Sequence, residues 1–358
     1  MLSYFLNKTF YALLTLFGVV TVIFFLFNIL PGDPAQMMLG QNEDNEQLAI
    51  VKKKYGFDKS IGTQYLYYLN DLSPISFHSN NTDDYTYLSE QKYAAAKLFT
   101  VRNTTSVLKF PYLRESYTKQ GKKVSAVLAE TLPNTFVLAI SAIAIALLLG
   151  ISLGVISALK KDTFLDKAIQ ILSTIGMSVP SFFSAILFAW FFGFVLHEYT
   201  NLEMTGSLFE LDDFGEKVNI KLKNLILPAL VLGIRPLAVV IQLMRNSLLE
   251  VFNQDYIRTA RAKGLSEFQI IKNHVIKNAL NPVVTAISGW FASMLAGAVF
   301  VEYIFGWNGL GKEIVNALNT LDLPVIMGSV LIIALLFIII NIFVDIIYAW
   351  LDPKVDLE

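Results

Sequence analysis

The chain reads as an all-α membrane protein with six transmembrane helices and a large extracytoplasmic insertion after the first. Three observations predict this. Charged residues make up only 16% of the 358 residues and apolar ones 54%, where a soluble domain carries about 25% charged. Six apolar segments reach the roughly 20 residues that a helix needs to cross about 30 Å of hydrocarbon. Five of them carry no charge, and the fourth carries one, Arg235.

The segments are Thr9–Leu30, Thr131–Leu159, Ala168–Leu196, Asn224–Met244, Asn278–Val301 and Leu323–Val344. The first is read as an uncleaved anchor, residues 1–30. It is longer than the roughly 7–15 apolar residues of a signal peptide, and no small-residue cleavage site follows. It stops at Pro31–Pro34, "PGDP", which no helix continues through. Residues 31–130 form the insertion. Asn45–Lys54 and Ser89–Leu98 look helical, and "SPISFHSNNTDDYTY" looks like loop. The aromatics Tyr55, Phe57, Tyr65, Tyr67, Tyr68, Tyr85 and Tyr87 point to a small packed cap or a piece resting on the membrane interface. Residues 131–358 hold the other five helices. Gly150 with Gly154, and Ser288 with Ala292 and Ala296, place small residues one turn apart, as close helix packing requires. Gly176 and Pro180 predict a kink in the third segment.

Orientation follows from the short loops. Arg245–Lys277 holds six Lys/Arg and Lys160–Lys167 three, whereas Glu198–Lys223 holds six Asp/Glu against three Lys. The positive-inside rule places the basic loops and both termini in the cytoplasm. The net charge of −1 offers no global field for nucleic acid. The chain has no cysteine. His78, His197 and His274 are scattered, so no metal site is expected.

"GWNGLGKE", Gly306–Glu313, approaches the phosphate-loop pattern but has Glu313 where a Mg²⁺-binding hydroxyl is needed. It also lacks the strand-to-helix setting that pattern requires. It is read instead as a tight turn before a short helix near Lys312–Leu318. Arg235 is the one ionisable residue within a span, and such residues are costly in lipid. Either it lines a pathway and meets a peptide carboxylate, or it is structural, pairing with Glu302, Asp345, free carbonyls or water.

The densest signal is the basic loop within residues 246–281. "NQDYIRTARAKGLSEFQIIKNHVIKNALNP" predicts two short helices. The first ends at Gly264, in the left-handed position after a helix. The second opens with a capping box, Ser266 and Gln269, and turns Phe268, Ile271, Val275 and Ala279 to one face. A preformed helix–elbow–helix suits docking of a partner.

This loop resembles the cytoplasmic E-A-A-x3-G-x9-I-x-L-P segment of permease subunits of binding-protein-dependent ABC importers. Gly264 falls on the glycine and Ala260 matches literally, while His274, Ile276 and Lys277 depart from the pattern. "DYIRTARAKGL", Asp255–Leu265, is similar to the form found in the peptide/nickel branch. So are "PGDP", "ETLPNTFVL" (Glu130–Leu138) and "DIIYAWLDPKV" (Asp345–Val355). The resemblance implies an ABC-importer permease bundle without enzymatic activity. Asp255, Tyr256, Arg258, Thr259, Ala260, Arg261 and Gly264 would belong to the helix that couples to an ATPase. It also implies a second homologous permease, two cytoplasmic ATPase subunits that bind the ATP, an extracytoplasmic substrate-binding protein and, as cargo, di- or oligopeptides or, less expected, nickel. No cofactor of its own is implied. An ion-coupled transporter would show acidic residues at mid-span and an internal repeat, and a membrane protease would show a motif such as H-E-x-x-H. Neither set is present.

Overall fold

The computed structural model describes residues 2–29, 34–39, 45–82, 84–90, 92–119, 121–212 and 216–351. The chain begins with α1 (Leu2–Ile29), α2 (Pro34–Leu39), α3 (Asn45–Tyr55) and α4 (Ile61–Leu72), then β1 (Ile75–Ser79), β2 (Ala95–Val101) and β3 (Thr104–Lys109). Next come α5 (Val124–Leu159), α6 (Phe164–Ser178), α7 (Ser181–Phe188) with a π-helix (Ala189–Val195), α8 (His197–Thr200), β4 (Phe209–Leu211) and β5 (Val218–Ile220). The rest is helical. It comprises α9 (Lys223–Val251), α10 (Asp255–Ala262), α11 (Glu267–Ile270), a second π-helix (Ile271–Val275), α12 (Ile276–Ala279), α13 (Asn281–Gly297), α14 (Val299–Phe305), α15 (Leu310–Asn319) and α16 (Leu323–Leu351). Residues 30–33, with most of "PGDP", lie outside the described residues, as do 352–358 and the end of the closing motif.

Four helices are long and apolar enough to cross a bilayer: Asn7–Asn28, Val124–Leu159, Lys223–Val251 and Leu323–Ile346. Two bent pairs complete the six if each counts as one span. Phe164–Ser178 and Ser181–Val195 meet at 109°, and Asn281–Leu295 and Val299–Phe305 at 58°. The expected kink in the third segment is thus a full break at Val179–Pro180. Pro180 has no N–H to donate and occupies the N-cap of α7.

The chain divides into two compact units. The helical unit comprises Met1–Lys8, Thr131–Glu313 and Leu335–Glu358, and the mixed unit Thr9–Glu130 and Ile314–Ala334. In the helical unit, α9 is the central strut. Leu227, Val231 and Leu232 pack with Leu138, Ala142 and Trp307. Further along α9, Val240, Met244 and Leu248 pack with Ile257, Ile270 and Val275. The small residues of α5 permit this approach. A Cβ on Gly150 would meet Val240 at 2.7 Å, and one on Gly154 would meet the Met244 Cβ at 2.7 Å.

The mixed unit holds an antiparallel sheet in the order β1-β3-β2. Ala95–Leu98 opens β2 and does not continue the expected helix, because pairing with β3 decides the conformation of a stretch that runs into the β-prone Leu98–Val101. Part of the expected loop is β1, and α4 is a helix the pattern reading did not separate. Ser60 caps α4 by accepting from the Thr63 N–H. The aromatics pack as expected: Tyr55 stacks on Phe57, Tyr67 on Tyr85, and Tyr68 on Phe24. Asp71 is the buried polar centre. Its carboxylate accepts from Tyr85 Oη (3.1 Å), Tyr93 Oη (3.0 Å) and Arg114 Nε (2.9 Å).

Candidate functional site

The elbow is built from local rules. Asp255 lies in the first turn of α10, where a carboxylate meets the positive end of the helix dipole. Ile257 and Ala260 are buried and fasten one face of α10 to α9 and the following helix. The opposite face, with Asp255, Tyr256, Arg258, Thr259 and Arg261, is exposed. Gly264 N–H donates to the Arg261 carbonyl (3.0 Å) and Leu265 N–H to the Ala260 carbonyl (3.4 Å). This is the paired end motif that places the residue after the cap, Gly264, in the left-handed region. Gly264 has φ +79°, and a Cβ there would meet nothing within 4 Å. The glycine is therefore required by the backbone angle and not by crowding.

Two residues later the capping box forms. Gln269 N–H donates to Ser266 Oγ (3.4 Å), and Ser266 N–H to Gln269 Oε1 (3.1 Å). Arg261 Nε donates to Glu267 Oε1 at 2.8 Å and braces the bend. Arg258 and Asp255 approach at 3.6 Å but are almost fully exposed, so this pair adds little.

Sequence placed Asp255, Tyr256, Arg258, Thr259, Ala260, Arg261 and Gly264 together, and the structure brings them to one elbow. Ala260 faces inward, so it spaces the helix and offers no outer contact. The predicted inner face of the second helix needs correction. The π-turn Ile271–Val275 inserts an extra residue, so Ile270 and Val275 share the buried face. Phe268 is left 73% exposed. Phe268 and the exposed Leu265 therefore join the outer surface of the elbow. No spacing rule reveals a single π-turn.

A buried carboxylate ties α6 to α9. Asp166 accepts from Arg245 Nε (2.8 Å) and Nη2 (2.7 Å), and from Ser157 Oγ (2.5 Å). The fork-shaped pair is a strong form of ion pair. It fastens the start of α6 to α9, and charge counting alone did not reveal it.

Arg235 makes neither of the expected pairs. The Glu302 carboxylate accepts from Gly311 N–H (2.6 Å) and Lys312 N–H (3.2 Å), and Asp345 pairs with Lys8. Arg235 is exposed and has no hydrogen bond or ion pair among the described residues. It lines a cavity of about 110 Å³ with Gly176, Ser181, Ser184, Trp290 and Met294, at the break between α6 and α7.

The Gly306–Glu313 turn resolves its likeness to a phosphate loop. Backbone amides at the start of α15 are already taken by the chain's own Glu302 side chain. A Cβ on Gly309 would lie 2.4 Å from the Glu302 carboxylate, and one on Gly311 2.4 Å from Val299 Cα. The segment is pinned to "ETLPNTFVL". Trp307 Nε1 donates to the Asn134 carbonyl (3.0 Å), Leu310 N–H to Thr135 Oγ1 (2.8 Å), and Asn134 Nδ2 to the Asn308 carbonyl (2.7 Å). Among the described residues, no three His, Asp or Glu side chains stand close enough to hold a metal ion.

An exposed, capped elbow between apolar helices suits the membrane component of a transport system. The comparisons agree. Residues 150–357 match the family described as "Binding-protein-dependent transport system inner membrane component", and residues 1–82 match that system's membrane-component N-terminal family. The chain belongs to this family and is a multi-pass inner membrane protein. It is 33% identical to a putative peptide permease protein of Brucella suis over 99% of both chains. It is 32% identical to the dipeptide transport system permease protein DppB of Bacillus subtilis, covering 98% of this chain and 97% of that one. To the di/tripeptide transport system permease protein DppB of Pseudomonas aeruginosa it is 31% identical over 99% of both.

Proposed function

We propose that this chain is one of two permease subunits of an ATP-driven importer of di- or oligopeptides. The capped elbow with an outward-facing, polar-and-aromatic side carries this reading, and the peptide permeases among its relatives support the cargo. Both termini and the elbow lie in the cytoplasm. A homologous permease completes the path, two ATPase subunits bind ATP and receive Tyr256, Arg258, Thr259, Arg261, Leu265 and Phe268, and a binding protein docks on the opposite side. The permease holds no cofactor. Closure of the ATPases moves the elbow, and the helices alternate between inward-open and outward-open states. Moving a two-state equilibrium from 1:99 to 99:1 takes about 5.5 kcal/mol. ATP binding and hydrolysis by the partners supply that bias.

Arg235 is the pathway residue in this reading. Its unpaired guanidinium can meet a peptide carboxylate, and its small cavity is one wall of a path shared with the second permease. The test is uptake of a labelled dipeptide into proteoliposomes bearing all subunits. Uptake requires ATP, and Arg235→Met lowers it at least tenfold while the unfolding temperature is kept. Uptake by the chain alone on an ion gradient contradicts the reading. Loss of folding in Arg235→Met assigns Arg235 to structure.

A further inference from the structure

The mixed unit contains a groove that the transport reading does not use. Its inner end is walled by Tyr55, Tyr85 and Tyr112, with Lys54, Lys92 and Glu115 at its lining. Lys54, Tyr85 and Lys92 also line an adjoining open basin of about 520 Å³, within the roughly 300–1,000 Å³ of small-ligand sites. The wall is rigid, because Tyr85 and Arg114 are both bound to the buried Asp71.

Arg114 in this groove is bound to Asp71, and Asp84 accepts from Ser79 Oγ (2.6 Å), which leaves Lys54, Lys92 and Glu115 at the inner end. The ammonium of Lys92 lies 5.0 Å from the centre of the Tyr85 ring, and that of Lys54 5.4 Å from that of Tyr55. Neither lysine has a carboxylate partner among the described residues, and the Glu115 side chain has no hydrogen bond or ion pair there. Lys54 sits in the last turn of α3, where a cation favours the helix dipole. That explains Lys54 but not Lys92, which arrives from a separate turn. Burial holds the Lys92 ammonium below the usual lysine range, and Lys54 and Arg114 add to this while Asp71 and Glu115 oppose it. Lys54 and Lys92, with Lys53 at the outer basin, and Glu115 at the inner end place both signs of charge along an aromatic wall, which matches a small zwitterion. Ammonium and tyrosine donors suit a carboxylate, and Glu115 suits an ammonium.

We propose that this groove is a second peptide-recognition site, holding the free carboxylate of a short peptide between Lys54 and Lys92 and its amino end toward Glu115. The choice of peptide among zwitterions rests on the transport reading above. The lining of the groove shares no residue with the Arg235 cavity.

Isothermal titration of the full-length chain in lipid nanodiscs tests this with trialanine, its C-terminal amide and its N-acetyl form. Trialanine binds, and the amide binds at least tenfold more weakly. Lys54→Gln with Lys92→Gln lowers trialanine affinity at least tenfold, and the exposed single change Lys54→Gln about threefold, both at an unchanged unfolding temperature. Glu115→Gln weakens trialanine but not N-acetyl-trialanine. Equal affinity for acid and amide, or unchanged binding in the double variant, overturns the proposal. So does equally tight binding of a doubly blocked hexaglutamate, which would mark the groove as a dock for an acidic protein segment. Peptide uptake by the assembled importer is measured alongside. Absent uptake counts against the transport reading, whereas intact uptake without carboxylate-dependent binding counts against the groove alone.

Discussion

Two glycine-bearing bends in the helical unit do opposite jobs. At the elbow, Gly264 has a left-handed φ and open space around it. At the Glu302 turn, Gly309 and Gly311 are required because other atoms already occupy the place of a side chain. The first bend keeps its outer side exposed. The second is filled by the chain's own carboxylate and closed by Trp307. The difference separates a surface made to be touched from a lock made to hold.

Substitutions sharpen this contrast, beginning with the largest effect. Gly311→Leu forces a side chain into the Val299 backbone, and overpacking of this kind costs about 1–3 kcal/mol or more. The expected outcome is a sharp drop in unfolding temperature and in folded yield. A Gly311→Leu protein as stable as the parent would erase the distinction. At the elbow, Gly264→Ala meets no neighbour and bears only the left-handed penalty, about 1–2 kcal/mol. Thermal unfolding should show a small shift, with ATPase association weakened more than stability.

The brace between Arg261 and Glu267 is a milder test. The pair is exposed, so a double-mutant cycle should return about 0.2–1 kcal/mol. A value of several kcal/mol would make the elbow a lock like the Glu302 turn.

The smallest effect concerns acid and the mixed unit. His78 is buried, its Nδ1 donating to the Thr86 carbonyl and its Nε2 facing Ser76 Oγ. Burial, chiefly, holds the imidazole below its ordinary value, with Lys109 and Lys92 adding to this and the Thr86 bond and Asp71 opposing it. The folded state therefore keeps His78 neutral where the unfolded chain, titrating near about 6.5, takes up a proton. Stability is present above that value and falls as the pH drops through it, levelling off beneath the folded pKa. His78→Gln should flatten this part of the pH profile of the unfolding temperature.

The elbow was legible in sequence because its rules are local. A glycine after the last turn, a Ser–Gln capping box and an acidic first residue each act within a few positions. What sequence could not show depends on distant partners. Asp166 and Arg245 meet across 79 positions, and Trp307 reaches Asn134 across 173. The same holds for Ala95–Leu98, whose strand exists only through β3, and for Phe268, turned outward by one π-turn. Arg235 was legible as a costly residue, but its lack of a partner among the described residues is a property of the folded unit.

In the proposed transport cycle the elbow passes force from the ATPase subunits to the helices. The direct measurement is Gly264→Trp in the complete complex, scored for ATPase co-purification and for ATP-driven peptide uptake in proteoliposomes. The expected result is a chain that folds, binds its ATPase partners less well and loses at least nine-tenths of uptake. Unchanged co-purification together with unchanged uptake would contradict it.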